Sequence, residues 1–129
     1  RVRLSHLDEL NQERCRLCEK YLKELKNPVI QLPKRQKNST HVWHQFVIRT
    51  SNRKEFIRYF QEKEIGTIIH YPIPPHLSEA YSYLEIDRSQ LPITEQYAEE
   101  VLSIPLYNGM IEEEQNYVID TINQFKPVG

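Results

Sequence analysis

Apolar positions recur at helical spacing from Arg1 to Lys26, with Leu4, Leu7, Cys18, Leu22 and Leu25 near one face, which predicts one long amphipathic helix. Asn27-Pro28 stops it. Val29 to Thr40 is a polar connector with one apolar piece, Val29 to Leu32, ahead of Pro33. The period then changes to two. From His41 to Thr50, Val42, His44, Phe46 and Ile48 share one side, and Trp43, Gln45, Val47 and Arg49 share the other. This predicts a strand, and apolar groups on both sides suggest a central one. Asn52 with Glu55 three residues on predicts a helix start, and Phe56, Ile57 and Phe60 form the inward face of a helix running to about Glu64. Gly66 is expected to end it as a left-handed residue.

Thr67 to Tyr71 reads as a second strand running into Pro72-Ile73-Pro74-Pro75, which cannot pair in a sheet interior. Leu77 to Tyr83 reads as a short helix and Glu85 to Leu91 as a loop. Pro92 opens a helix to about Leu102, and Ser103 to Leu106 is a short third strand. Met110 to Phe125 is a closing helix with Tyr117, Val118, Ile119 and Ile122 as its apolar content. The order predicts an α+β fold, a small sheet of about three strands covered by helices on one side. No internal repeat or low-complexity tract interrupts it.

Composition narrows the function. The 129 residues suffice for one domain with a modest core, and the 3 glycines leave no Gly-rich phosphate loop. The 17 basic and 18 acidic residues balance to a net charge of -1, which argues against a nucleic-acid or anionic-membrane partner. No apolar run reaches membrane-span length, and the charged N-terminus is unlike a signal peptide. Cys15 and Cys18, three apart on a helix, suit reduced thiols and a cytoplasmic setting. Arg1 stands where an initiating methionine would, and the first residues are already helical in pattern, so the chain is expected to be a fragment.

Two constellations carry candidate chemistry. Cys15-x-x-Cys18 with His41-x-x-His44 has the outline of a zinc set, but the cysteines lie within a helix and the histidines on opposite faces of a strand, so no metal site is expected. The stretch Gly66-Thr67-Ile68-Ile69-His70-Tyr71-Pro72-Ile73-Pro74-Pro75-His76 places an imidazole and a phenol at a strand end before a stiff proline run. Both groups donate and accept hydrogen bonds and could meet phosphate or sugar oxygens. The alternative for His70 is a core histidine satisfied by a carbonyl. His76, beyond the prolines, is expected at the surface or in a loop. Lys34 to Lys37 reads as a solvated loop. Glu112, Glu113 and Glu114 suit the dipole of a helix start.

Taken in order, several segments resemble the DegT/DnrJ/StrS family of nucleotide-sugar aminotransferases. These are Leu7 to Arg14, His41 to Arg49, Arg53 to Phe56, Gly66 to His76, Pro92 to Glu95, and Glu100 to Leu106 with the last helix. The resemblance implies the C-terminal small domain of a fold-type I enzyme. Residues 1–28 would be the interdomain helix and 29–129 the small α+β domain. The large domain, which binds pyridoxal phosphate through a lysine, would lie outside this chain.

The reaction implied moves an amino group, usually from glutamate, to a nucleoside-diphosphate keto-deoxy sugar, in polysaccharide, lipopolysaccharide or glycoside sugar synthesis. The cofactor is the electron sink and the protein supplies orientation. The wording of the proline segment favours dTDP-linked 3-keto-6-deoxyhexoses. His70 and Tyr71 match the substrate-facing strand end, and His41 and His44 match a packing signature. No catalytic or cofactor-binding residue is expected in this chain, and alone it is expected to be inactive. Implied partners are the nucleotide-sugar substrate, the chain's own N-terminal large domain and a second copy in a homodimer. Members with histidine in place of the lysine remove a hydroxyl instead, and the distinguishing position is not in this chain. A free-standing α+β interaction module is the competing reading.

Overall fold

A computed structural model describes residues 2–87 and 90–128, so Arg1, Gly129 and positions 88 and 89 of the predicted 85–91 loop lie outside the described residues. A 3₁₀ turn, Arg3–His6, leads into α1, Leu7–Glu24. β1 is Phe46–Arg49, α2 is Arg53–Glu62, α3 is Pro92–Glu100, β2 is Val101–Ile104 and α4 is Glu112–Gln124. Two 3₁₀ turns, Pro75–Leu77 and Glu79–Leu84, follow the proline run, where one short helix was expected.

The fold is α+β, with a sheet of two antiparallel strands instead of about three. Phe46 pairs with Ile104 and Ile48 with Leu102 on the core face; Val47 pairs with Ser103 and Arg49 with Val101 on the other. The expected strand at 67–71 shrinks to one antiparallel bridge, Ile68 to Ser103, because the prolines end pairing at once. A matching bridge, Gln31 to Arg49, borders β1. The last strand begins at Val101, two residues before its expected start, and α3 correspondingly stops at Glu100.

The largest correction concerns 41–45. In an extended strand Trp43 and Phe46 would point to opposite faces. Both are buried, and their rings stack with centroids 5.6 Å apart. The chain therefore leaves the extended form: Trp43 takes a left-handed φ of 50°, and its N–H donates to His41 Nδ1 at 2.9 Å. Val42 is left outside. β1 thus holds four residues of the expected ten.

Leu17, Cys18, Tyr21 and Leu25 of α1, Phe56 and Phe60 of α2, and Val118, Ile119 and Ile122 of α4 pack with the inner sheet face into one core. Leu4 and Leu7 were expected on that face but stand exposed, as does Tyr117 of α4. The acidic start of α4 does more than answer the dipole: Glu114 accepts the Ile111 N–H at 3.1 Å, and Glu112 meets Lys20 at 2.9 Å.

α2 ends in a Schellman turn. Ile65 N–H bonds Phe60 O at 2.9 Å and Glu64 N–H bonds Gln61 O at 3.0 Å. The left-handed residue is therefore Glu64, with φ 57°, two positions before the expected Gly66. The register is set by Ile65, which must be buried as the apolar residue after the turn. Glu64 carries both the Cβ strain and a negative charge at the negative end of a helix. Glu64→Gly is expected to raise stability by about 0.5–1 kcal/mol. A higher urea midpoint at unchanged m-value checks this; an unchanged or lower midpoint refutes it.

Candidate functional site

The outer sheet face presents the site. Ser103 stands alone as a hydroxyl among Val101, Leu102 and Ile104, on the face away from the core. Its backbone N–H and C=O both pair with Ile68, at 2.8 and 3.2 Å. This clamps the segment that carries His70, whose Nδ1 lies 2.9 Å from Ser103 Oγ. The Tyr71 ring stands edge-on to the imidazole with centroids 5.4 Å apart, and 73% of Tyr71 is exposed. The peptide joining His70 to Tyr71 is cis.

His70 stands between two grooves. One, of about 530 Å³, is lined by polar groups from Arg14, His44, Gln45, Thr67 and Ser103 with an apolar wall of Ile104 and Leu106. The other, of about 460 Å³, is lined by His70, Tyr71, Ile73, the paired prolines 74 and 75, Thr94 and Tyr97. Among the described residues, neither is lined by a lysine or a carboxylate. The site can thus offer hydrogen bonds and apolar contact. Its described lining holds no amine for attachment of a carbonyl cofactor and no carboxylate for a pyridine nitrogen.

Arg14 is fixed in place. Its Nε donates to Asn108 Oδ1 at 2.9 Å, and its Nη1 donates to the carbonyls of Trp43 and His44 at 3.2 and 3.1 Å. Asn108 in turn donates to Glu13 Oε2 at 2.7 Å, and the Gly109 N–H to Glu13 Oε1 at 3.0 Å. Those two bonds hold the Glu13 carboxyl below its ordinary pKa. Gly109, with φ 85°, makes the turn that brings its N–H to Glu13. On the neighbouring strand position Arg49 forks onto Glu100 at 2.7 and 3.0 Å and lies 3.9 Å over the Tyr97 ring. Hydrogen bonds from Gln96 and Arg49 hold Glu100 below its ordinary value.

His70 and Tyr71 thus come together at the grooves, whereas His76 does not join them. Expected at the surface or in a loop, the His76 side chain is buried, with Nε2 3.3 Å from Glu95. It fastens the proline run to the start of α3. His41 and His44 lie in the turn before β1 and not on a strand. His41 Nδ1 is taken by Trp43, while Cys15 Sγ lies 3.4 Å from His41 O. Burial pushes the Cys18 thiol up to about 12, so it stays protonated. Among the described residues no group of three or more His, Cys, Asp or Glu gathers as a metal site. No helix among them is long and apolar enough to cross a membrane.

Arg14 and Ser103 were not singled out from the sequence. Arg14 has its partners 29 to 94 positions away, so no local pattern marks it. Ser103 did carry a signal, a hydroxyl inside an apolar strand.

The family model for the DegT/DnrJ/EryC1/StrS aminotransferases matches residues 1–123. The chain belongs to this family. Within it, a dTDP-3-amino-3,6-dideoxy-alpha-D-galactopyranose transaminase of Aneurinibacillus thermoaerophilus is 43% identical over 96% of this chain and 34% of its own length. A dTDP-3-amino-3,4,6-trideoxy-alpha-D-glucose transaminase of Streptomyces venezuelae is 36% identical over 97% of this chain and 33% of its own. The crystal structure of S. venezuelae DesV in complex with a ketimine intermediate superposes with a TM-score of 0.92 at 37% identity, covering 96% of this chain and 34% of that one. The chain spans about a third of the length of these relatives. Membership agrees with the succession of strand, proline and helix motifs read from the sequence.

Proposed function

We propose that this chain is the C-terminal small domain of a pyridoxal-phosphate-dependent aminotransferase that delivers an amino group, from glutamate, to a keto-deoxy sugar on a nucleoside diphosphate. The observation that carries this is the composition of the two grooves at His70: hydrogen-bonding and apolar groups, with neither lysine nor carboxylate. Such a surface binds and orients but does not perform the transfer. His70 and Tyr71 are the substrate contacts. Arg14, locked to the turn at Trp43 and His44, fixes the far wall. The two relatives named as dTDP-3-amino sugar transaminases support a 3-keto sugar carried on dTDP. The cofactor supplies the electron sink from the part of the enzyme outside this chain.

Exposed apolar groups ring the site, among them Ile68, Tyr71 and Ile73. With Leu4 of the 3₁₀ turn and Leu7 of α1, they form the surface that the N-terminal large domain covers, in an enzyme that works as a homodimer. The role of His70 is to donate or accept at a substrate oxygen and that of Tyr71 to close the groove over the sugar. Both grooves are walled by proline and strand residues whose backbone gives up little entropy on binding.

Two measurements test this reading. The chain alone, mixed with pyridoxal phosphate, is expected to develop no stoichiometric absorption band and no conversion to the amine form with glutamate. The complete enzyme is expected to bind the cofactor and aminate a dTDP-linked 3-keto-6-deoxyhexose. A stoichiometric band on the chain alone, or a complete enzyme inert toward nucleotide sugars, refutes it.

A further inference from the structure

Ser103 and His70 form a pair whose proton arrangement is decided by burial. A neutral imidazole has one N–H, and a serine hydroxyl can donate or accept. Two arrangements are therefore open to the 2.9 Å contact between Ser103 Oγ and His70 Nδ1. If Nδ1–H donates, the hydroxyl proton of Ser103, a residue only 7% exposed, needs another acceptor. Among the described residues Ser103 Oγ has no hydrogen-bond partner besides His70. Leaving a buried donor unmade is the costly choice. If the hydroxyl donates to Nδ1, the hydroxyl proton is placed, and the hydrogen of the imidazole sits on Nε2 of a half-buried ring that lines both grooves.

We propose that Ser103 is the positioning residue of His70: its hydroxyl holds the ring in the Nε2–H tautomer and makes His70 a hydrogen-bond donor to an oxygen of the substrate. The backbone contributes to the same end. Ser103 and Ile68 exchange both their hydrogen bonds, and Ile68 and His70 lie two apart on one extended segment, so strand and ring are held by the same residue. Among the described residues Nε2 has no partner, and His70 lines both grooves. A donor at that position suits a diphosphate or sugar oxygen. It cannot remove a proton from a substrate carbon, which separates His70 from the base of the transfer step. The tautomer is a property of this chain alone; only its use toward substrate rests on the function proposed above.

Long-range ¹H–¹⁵N correlation spectra of the chain at alkaline pH, where histidine is neutral, read the tautomer directly. His70→Ala identifies the signals. The expected result is an unprotonated Nδ1 and a protonated Nε2, with both tautomers populated in Ser103→Ala. A proton on Nδ1, or the same tautomer in Ser103→Ala, overturns the proposal. In the complete enzyme Ser103→Ala is expected to raise KM for the nucleotide sugar about tenfold. An unchanged KM beside the expected spectra would overturn His70 as a substrate donor while leaving its tautomer in place.

Discussion

Phe46→Ala is expected to cost the chain about 3–5 kcal/mol, measured as the fall in unfolding free energy in urea. Phe46 is fully buried at the start of β1, where three elements meet. Its ring lies 5.0 Å from Tyr21 of α1 and 5.6 Å from Trp43 in the preceding turn, and its backbone pairs with Ile104 of β2. Truncation removes the transfer energy of the ring and leaves a hole that rigid neighbours cannot fill. A domain of this size has only about 5–15 kcal/mol in hand, so the variant is left near the edge of folding. Val42→Ala is the control. A continuous strand from 41 to 50 would put Val42 on the face of Phe46, whereas the turn at Trp43 leaves it exposed. Its substitution is expected to change stability by less than about 0.5 kcal/mol. A loss below about 1 kcal/mol for Phe46→Ala would contradict the packing of its ring, and a large loss for Val42→Ala would restore the longer strand.

Asn27→Asp is expected to cost about 2–4 kcal/mol at neutral pH, although it changes one atom for another of nearly equal size. The buried Asn27 amide donates both hydrogens, to Ile122 O at 2.7 Å and Phe125 O at 2.8 Å, and its Oδ1 accepts the Val29 N–H at 3.0 Å. It thereby caps the last turn of α4 from the end of α1. Asn123 returns the favour, donating to Glu24 O and accepting the Lys26 N–H. Aspartate would bring a charge against two carbonyl oxygens and leave both without a donor.

The sign of the pH dependence follows. Burial and the facing carbonyls raise the folded pKa of the new carboxyl above its unfolded value near 4. The protonated acid can donate to one carbonyl. The penalty is therefore smallest below the unfolded pKa and grows as pH rises through the folded one. Urea unfolding from pH 3.5 to 7 checks this against wild type; a penalty that is flat or shrinks with rising pH would contradict the cap.

Helices were legible in the sequence because their apolar residues recur at close spacing. Phe56 and Phe60 of α2 and Val118, Ile119 and Ile122 of α4 are buried as their period requires. Strand limits were not. Alternation from Val42 to Ile48 is real in the sequence, but Trp43 gains more by stacking on Phe46 than by staying extended, and that contact is visible only in three dimensions. Gly66 drew attention as a helix stop because glycine tolerates left-handed backbone, yet burial of Ile65 places the turn on Glu64. Leu4 and Leu7 fit the helical stripe and still lie outside, since among the described residues the buried part of this helix face begins only at Leu17.

At the site, His70 and Tyr71 stood out because imidazole and phenol before a proline run are chemically conspicuous. Arg14, Ser103 and Tyr97 did not, since each acts through a partner distant in sequence. His76, beyond the prolines, reads as a surface or loop residue; it does lie in a short turn, but packing against α3 buries its side chain.

The strand end at His70 is proposed to serve as a wall of the sugar-nucleotide site. Steady-state kinetics of the complete enzyme with His70→Ala test this most directly. With His70→Ala, kcat/KM for the nucleotide sugar is expected to fall about 10- to 100-fold, the loss of one hydrogen bond to a charged or strongly polar oxygen, with cofactor binding unchanged. A kcat/KM within twofold of wild type would contradict it.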